Sequence, residues 1–204
     1  MENSGVQVNA HARLWSALAV FSTGLIVLSG CVGGSGDDLT KVRPSYSTVG
    51  PVTEIARADR ANPVQFSGTL DNGETASSTD WAGKVLVVNF WYAGCAPCRA
   101  EAPDLEAVYS EFKDQGVMFV GVNVRDQAGT AQSFAATFGI TYPSFLDANV
   151  GSIQLAFAGT VAPNVVPTTV VLDREGRVAS RIVGQLESRS ILQTLLRDTL
   201  AESP

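Results

Sequence analysis

The chain has 204 residues, 45% of them hydrophobic and 17% charged, the proportions of a folded core rather than of a disordered polymer. Its net charge of −6, with no run of Lys or Arg, argues against nucleic acid as a partner, because phosphate binding requires a basic face. A zinc site needs four ligands, but of the three cysteines, Cys31, Cys95 and Cys98, only two are close together, and the one histidine, His11, lies in a segment expected to be removed, so no metal is expected.

Leu14 to Ser29 is almost wholly apolar or small and follows Arg13, in an N-terminal region that is only weakly basic and includes Glu2. So short a run, ending in small residues, reads as the hydrophobic region of a signal peptide rather than as a stable span. It ends in Leu28-Ser29-Gly30-Cys31, which resembles the lipobox of bacterial lipoproteins. The resemblance implies cleavage before Cys31 and a diacylglycerol on its sulfur, with the remainder held outside the cytoplasmic membrane. It also accounts for the odd cysteine, which an exported chain otherwise leaves unexplained. An uncleaved anchor helix is the alternative. Residues 1–30 are therefore expected to be a lipoprotein signal peptide, and their loss removes His11 without changing the net charge, since Glu2 and Arg13 cancel.

Residues 31–61 are rich in Gly, Ser, Asp and Pro and show little apolar periodicity, which predicts a flexible tether. About 30 such residues reach on the order of 30 Å. The alternative is that Val52 to Ala61 packs on the domain that follows. Residues 62–204 read as that domain. Val64 to Leu70 alternates and runs into Asp71-Asn72-Gly73, a turn signal, so an N-terminal β-hairpin is predicted. Val85 to Trp91 is an unbroken apolar strand of the kind buried on both faces. Leu105, Val108, Tyr109 and Phe112 follow with helical spacing; Pro97 falls in the first turn, where proline is tolerated, and Pro103 predicts a kink. Val117 to Val124 is a second buried strand. Phe134 and Phe138 mark a helix ended by Gly139, and Val150, Ile153 and Phe157 mark another. Thr168 to Val183 reads as a hairpin turning at Asp173 to Arg177, and Leu192, Leu195, Leu196 and Leu200 form an amphipathic closing helix. This order predicts an α/β fold: a central mixed sheet with helices on both faces and a hairpin extension at its N-terminus.

The chemistry centres on Cys95-Ala96-Pro97-Cys98, set between the strand and the helix. A helix N-terminus carries partial positive charge and free N–H groups, which favour a thiolate at the first cysteine. Cys95 is expected to be the exposed nucleophile that attacks a disulfide, and Cys98, buried beneath it, the thiol that resolves the mixed disulfide. An inert local bridge is the competing reading, but so small a loop restrains the unfolded chain little.

Val87 to Pro103, including Trp91, Gly94, the two cysteines and Glu101, is similar to the TlpA/ResA-like branch of the thioredoxin superfamily, and the lipobox agrees with it. The resemblance covers about residues 62–200. It implies a thioredoxin-like fold and a membrane-anchored thiol:disulfide oxidoreductase whose redox-active disulfide is its only cofactor. It implies protein disulfides as substrates, among them those of apocytochrome c before haem attachment, and a transmembrane thiol donor of the CcdA/DsbD type. It places Pro167, preceded by Val166, as a cis-proline facing the cysteines, with Pro163 the nearby decoy. Trp91, Ala96, Pro97, Val166 and Pro167 are then the expected substrate contacts. Glu101 matches an acid that this branch places near the cysteines to tune the thiols and relay a proton; a solvated first-turn glutamate is the alternative. Two departures stand out. Gly94 replaces the Trp that most relatives carry before the first cysteine, and Asn89 stands where ordinary thioredoxins bury an acid.

The Ala96-Pro97 spacer offers no charge to stabilise the thiolate, which predicts a potential nearer about −270 mV than the strong-oxidant end at about −120 mV, with Arg99 pulling weakly the other way. A reductase on the extracytoplasmic face of the membrane is the leading expectation. An exported oxidase or isomerase is the alternative, and a copper-handling protein of the same fold is disfavoured by the absence of histidine from the mature chain.

Overall fold

The computed structural model describes residues 51–162 and 165–202. The expected signal peptide, Cys31 and the tether up to residue 50 lie outside the described residues. Among the described residues, eight strands and four α-helices form in the order β1 (Val52–Glu54), β2 (Ser67–Thr69), β3 (Thr75–Ser77), β4 (Val85–Trp91), α1 (Ala96–Phe112), β5 (Val117–Asn123), α2 (Ala128–Phe138), β6 (Ser144–Leu146), α3 (Ser152–Ala156), β7 (Thr168–Leu172), β8 (Val178–Val183) and α4 (Arg189–Ala201). Six of the strands make one mixed sheet, ordered β1-β8-β7-β4-β5-β6. β4, β5 and β6 are parallel, and β7, β8 and β1 join antiparallel on the other side. β2 and β3 form the expected separate hairpin, turning through Gly73 at a φ of 89° that favours glycine. This is the mixed sheet that the order of elements predicts and the thioredoxin-like fold that the resemblance implies.

All seven residues of β4 are buried, which is why its sequence shows no polar alternation. The pleat still sorts them. Leu86, Val88 and Phe90 face a core shared with Phe145, Ile153 and Phe157, under α3 and the β2–β3 hairpin. Val85 and Val87 face the opposite core, with Leu105 and Phe112 of α1 and Leu192 and Leu196 of α4. By the same parity Asn89 and Trp91 point to the α1 side, where the cysteines lie. α1 continues through Pro103, which removes only the N–H that would have served the Arg99 carbonyl.

The expected boundary at residue 62 is corrected by the residues before it. β1 pairs with the free edge of β8, and Val52 packs into the α1–α4 core. Arg57–Asp59 makes a turn of 3-10 helix, and Arg60 then runs inward. Its guanidinium donates to Asp173 at 2.9 Å, to Glu202 at 2.6 Å and to the Ile55 carbonyl at 3.1 Å. Burial alone would raise the Asp173 carboxyl, but hydrogen bonds from the Arg177 backbone and from the Arg60 and Arg177 side chains hold it below its ordinary value. Arg174 donates to the carbonyls of Leu200 and Glu202, closing the end of α4. The folded domain thus includes residues 51–61, fastened by an edge strand and a buried charge.

Arg60→Met keeps the length of the stem and removes charge-assisted hydrogen bonds to carboxylates that stay in place, so a loss of about 2 kcal/mol is expected. Urea unfolding followed by circular dichroism will show a lower midpoint with an unchanged slope.

Candidate active site

β4 ends at Trp91, and Tyr92-Ala93-Gly94 turn the chain into α1. Cys95 is the N-cap of α1: its Sγ accepts the Cys98 N–H at 3.2 Å, and its own N–H donates to the Tyr92 carbonyl at 3.1 Å. Pro97 occupies the first turn, where no N–H is needed. Cys95 and Cys98 form a disulfide, with Cα atoms 5.2 Å apart. The helix N-terminus therefore points at the sulfur that the leaving thiolate would occupy.

Cys95 departs from its expected exposure. It is 4% exposed and Cys98 2%. Bonded to each other, both belong to an apolar cluster with Trp91, Ala102, Ala131 and Phe134, while Gly94, Ala96 and Pro97 remain exposed around them. Trp91 also differs from the reading that made it a substrate contact. It is buried, with its ring 4.2 Å from that of Phe134 on α2, so it floors the site instead of lining its mouth. A Cβ at Gly121 would overlap Trp91 Nε1 and Ser144 Oγ, so only glycine leaves room for this ring.

The Val166–Pro167 peptide bond is cis, and Val166 packs against the cysteine cluster. Pro167 is buried, and its carbonyl accepts the Gly184 N–H at 2.9 Å. Neither the N–H nor the carbonyl of Val166 has a hydrogen-bond partner among the described residues. Ala96, Pro97 and Val166 thus surround the disulfide with two exposed side chains and one open backbone position.

Glu101 is 1% exposed, which overturns the solvated alternative. Its carboxyl accepts from Asn89 Nδ2 at 2.9 Å and from the Leu186 N–H at 2.8 Å, and Asn89 Nδ2 also donates to Thr169 Oγ1 at 3.1 Å. Burial raises its pKa from 4.5 to about 7, against the opposing effect of those two hydrogen bonds. Burial likewise pushes the neighbouring Tyr142 phenol far above its ordinary range, with the charges of Glu101 and Glu106 adding to it. Asn89, Cys98, Tyr142 and Ser144 line a cavity of about 10 Å³, close to the smallest space that holds one water.

A clamp on the turn before Cys95 escapes sequence reasoning. Asp126 accepts from the Ala93 N–H at 2.6 Å and from Asn123 Nδ2 at 2.9 Å, and Asn123 Oδ1 caps the N–H groups of Arg125 and Asp126. The Arg125 guanidinium lies 4.2 Å from the centre of the Tyr92 ring, and Arg99 donates to the Ala93 carbonyl at 3.4 Å. The signal was the Asn-x-x-Asp that closes β5, a local side-chain-to-backbone turn. Among the described residues, no group of three or more His, Cys, Asp or Glu is placed to hold a metal ion, and no helix is long and apolar enough to cross a membrane.

A strand that delivers two cysteines to a helix mouth, across from an unpaired backbone segment, is equipped to open and close against other disulfides. The molecule is a thiol:disulfide oxidoreductase with a thioredoxin-like fold. Within that class the chain belongs to the Redoxin family, which its residues 56–196 match. It is 29% identical over 184 residues to the thiol-disulfide oxidoreductase ResA of Halalkalibacterium halodurans, covering 90% of this chain and 94% of that protein. It is 35% identical over 117 residues to ResA of Geobacillus thermodenitrificans, a match that spans 57% of this chain and 64% of the relative. The thiol:disulfide interchange protein HelX of Rhodobacter capsulatus is 32% identical, with 79% of this chain and 85% of that protein covered. Among solved structures, a secreted thiol-disulfide isomerase from Corynebacterium glutamicum superposes with a TM-score of 0.69 at 30% identity, over 76% of this chain and 95% of that one. A DsbF homologue from Corynebacterium diphtheriae gives 0.67 at 32% identity, over 74% and 95%.

The raised pKa of Glu101 predicts a pH dependence of stability. The carboxyl holds its proton more tightly folded than unfolded, so its contribution is present in full below 4.5 and is lost as the pH rises through about 7. The urea midpoint of the oxidised protein is expected to fall from about pH 5 to about pH 7.5, and Glu101→Gln to flatten that fall. Asp173 and Glu202, whose carboxyls are held low, act at pH values below this window.

Proposed function

We propose that this protein is a membrane-tethered, extracytoplasmic reductase of protein disulfides that cycles through Cys95 and Cys98. One observation carries the reading: the N-capping sulfur of Cys95 and the buried Glu101 stand on successive turns of α1, with Asn89 reaching both Glu101 and the cavity beside Cys98. In the reduced protein the Cys95 thiolate attacks one sulfur of a substrate disulfide, and the other leaves as a thiolate and takes up a proton. Ionised Glu101, one turn of α1 beyond Cys98, takes the Cys98 proton. The Cys98 thiolate then attacks Cys95 Sγ and releases the second substrate sulfur, which is protonated in turn. Two electrons and two protons pass to the substrate, and the enzyme is left as the disulfide seen here.

Ala96, Pro97 and the free backbone of Val166 hold the substrate segment beside Cys95, with Pro167 fixing the Val166 backbone. The lipobox at Leu28–Cys31 supports lipidation of Cys31, cleavage after residue 30 and attachment to the outer face of the membrane. The likeness to the TlpA/ResA branch supports apocytochrome c as a substrate, and a reductase outside the membrane requires electrons from a thiol donor within it, of the CcdA/DsbD type. The secreted isomerase among the solved structures supports the second reading, an exported oxidase or isomerase.

The Cys98→Ser variant of the full chain, expressed in its host and quenched with acid, is expected to accumulate a mixed disulfide through Cys95 that a Cys95→Ser variant lacks. Mass spectrometry of the captured protein tests the substrate. A potential near about −270 mV and a resting dithiol support the reductase, whereas a value above about −180 mV supports the oxidase or isomerase.

Glu101→Gln removes the proton acceptor but keeps the hydrogen-bond partner of Leu186. Resolution of the mixed disulfide is expected to slow by about 100-fold at neutral pH, and the inflection near pH 7 in its rate to disappear. Stopped-flow tryptophan fluorescence across the pH range provides the measurement.

A further inference from the structure

The large hydrophobic side chains left exposed among the described residues are Val150 (77%), Leu155 (75%) and Val165 (37%). They gather at one place. Leu155 and Val165 line a cavity of about 300 Å³, with Phe90 and Val124 at its floor, Gln154 at its side and Val166 at its inner end. Val150 lies just before α3, next to this mouth. Among the described residues, no charged side chain lines the cavity.

The walls are held in place. Asp147 accepts the N–H groups of Ile153 and Gln154 at 3.1 and 2.9 Å and the Gln154 side-chain amide at 3.1 Å, so the short helix α3 is pinned by a carboxylate at its start. Ile153 is buried on the sheet, which leaves Leu155 turned outward. Arg181 of β8 donates to the Thr160 carbonyl at 2.6 Å and fastens the segment that follows α3. The groove is preformed, as apolar binding sites commonly are.

Val166 belongs to both places. It packs against the cysteine cluster, and it lines the groove. A substrate disulfide at Cys95 therefore brings its neighbouring residues over this apolar opening. A second copy of the chain is a poorer occupant, because three exposed side chains fall far short of the about 800 Å² per partner that a stable interface buries.

We propose that this groove is a specificity site that receives a large aliphatic or aromatic side chain lying within a few residues of the target cysteine in the substrate. The proposal rests on the exchange reading above and deepens it, because it names the sequence that the enzyme prefers around a disulfide: uncharged and apolar on one flank.

The test uses the full-length chain, reduced and freed of reductant, and two synthetic peptides with an internal disulfide that differ only in Leu or Ser beside one cysteine. The Leu peptide is expected to oxidise the protein with a kcat/KM about tenfold higher, expressed in KM, as burial of one large side chain allows. Leu155→Asp and, separately, Val165→Asp are expected to bring the ratio down to about one, and Leu155→Met to retain most of the preference, as an apolar wall of similar size does. Both positions are exposed, so neither change threatens the core. A ratio of one in the unaltered chain overturns the proposal, as does a ratio that survives both Asp variants. So does a dimer in sedimentation that Leu155→Asp dissociates while the peptide ratio stays the same, which assigns the groove to a second copy. If neither peptide oxidises the protein, the exchange reading falls and this one with it; exchange without discrimination removes this one alone.

Discussion

The hydrogen bonds accepted by Glu101 tie together three parts of the molecule that must stay in register for the cysteines to work. One oxygen is held by Asn89, which belongs to the central strand and reaches Thr169 on the neighbouring strand just beyond the cis-proline. The other is held by the backbone at Leu186, in the loop between β8 and α4. A carboxyl removed from water is costly unless its acceptors are satisfied, so each contact constrains its donor as firmly as it serves the acid. The cysteine helix, the strand beneath it and the loop before α4 are thereby locked to one group, and that group is the one whose ionisation is shifted toward neutrality.

Asn89 takes on a clearer meaning in this setting. Its amide cannot act as a base, but it donates to both Glu101 and Thr169, so the carboxyl sits on α1 and the strand residue orients it. The glycine before Cys95 is also explained by its neighbours. A Cβ at Gly94 would lie 3.2 Å from the Tyr92 ring, which folds back over this position and carries Arg125 on its face. Tyr92, three residues upstream of Cys95, thus sets its ring beside this glycine and is pinned there by a cation–π contact.

Much of this was legible in the chain itself, and the division follows range. β4, β5, the β7–β8 hairpin and α1 announce themselves through local periodicity. The two cysteines and Pro167 are readable because their roles depend on what immediately precedes and follows them. What escaped depends on pairing at a distance. β1 and β6 are three residues long, too short for any period, and exist because a sheet edge was open to them. Arg60 looks like a tether charge until Asp173 and Glu202, more than a hundred positions away, close on it. The burial of Glu101 was invisible for the same reason, since it follows from the packing of β4 and of the loop before α4 against α1.

The direction of β1 carries a consequence for how the molecule is deployed. Pro51 accepts the Val183 N–H at 2.7 Å, and Val183 lies opposite Thr168, at the rim of the sheet that bears the disulfide. The polypeptide therefore enters the sheet from the same rim as its working sulfurs and runs away from them. Anything joined ahead of Pro51 is thereby attached at the reactive rim and not at the far end of the strands.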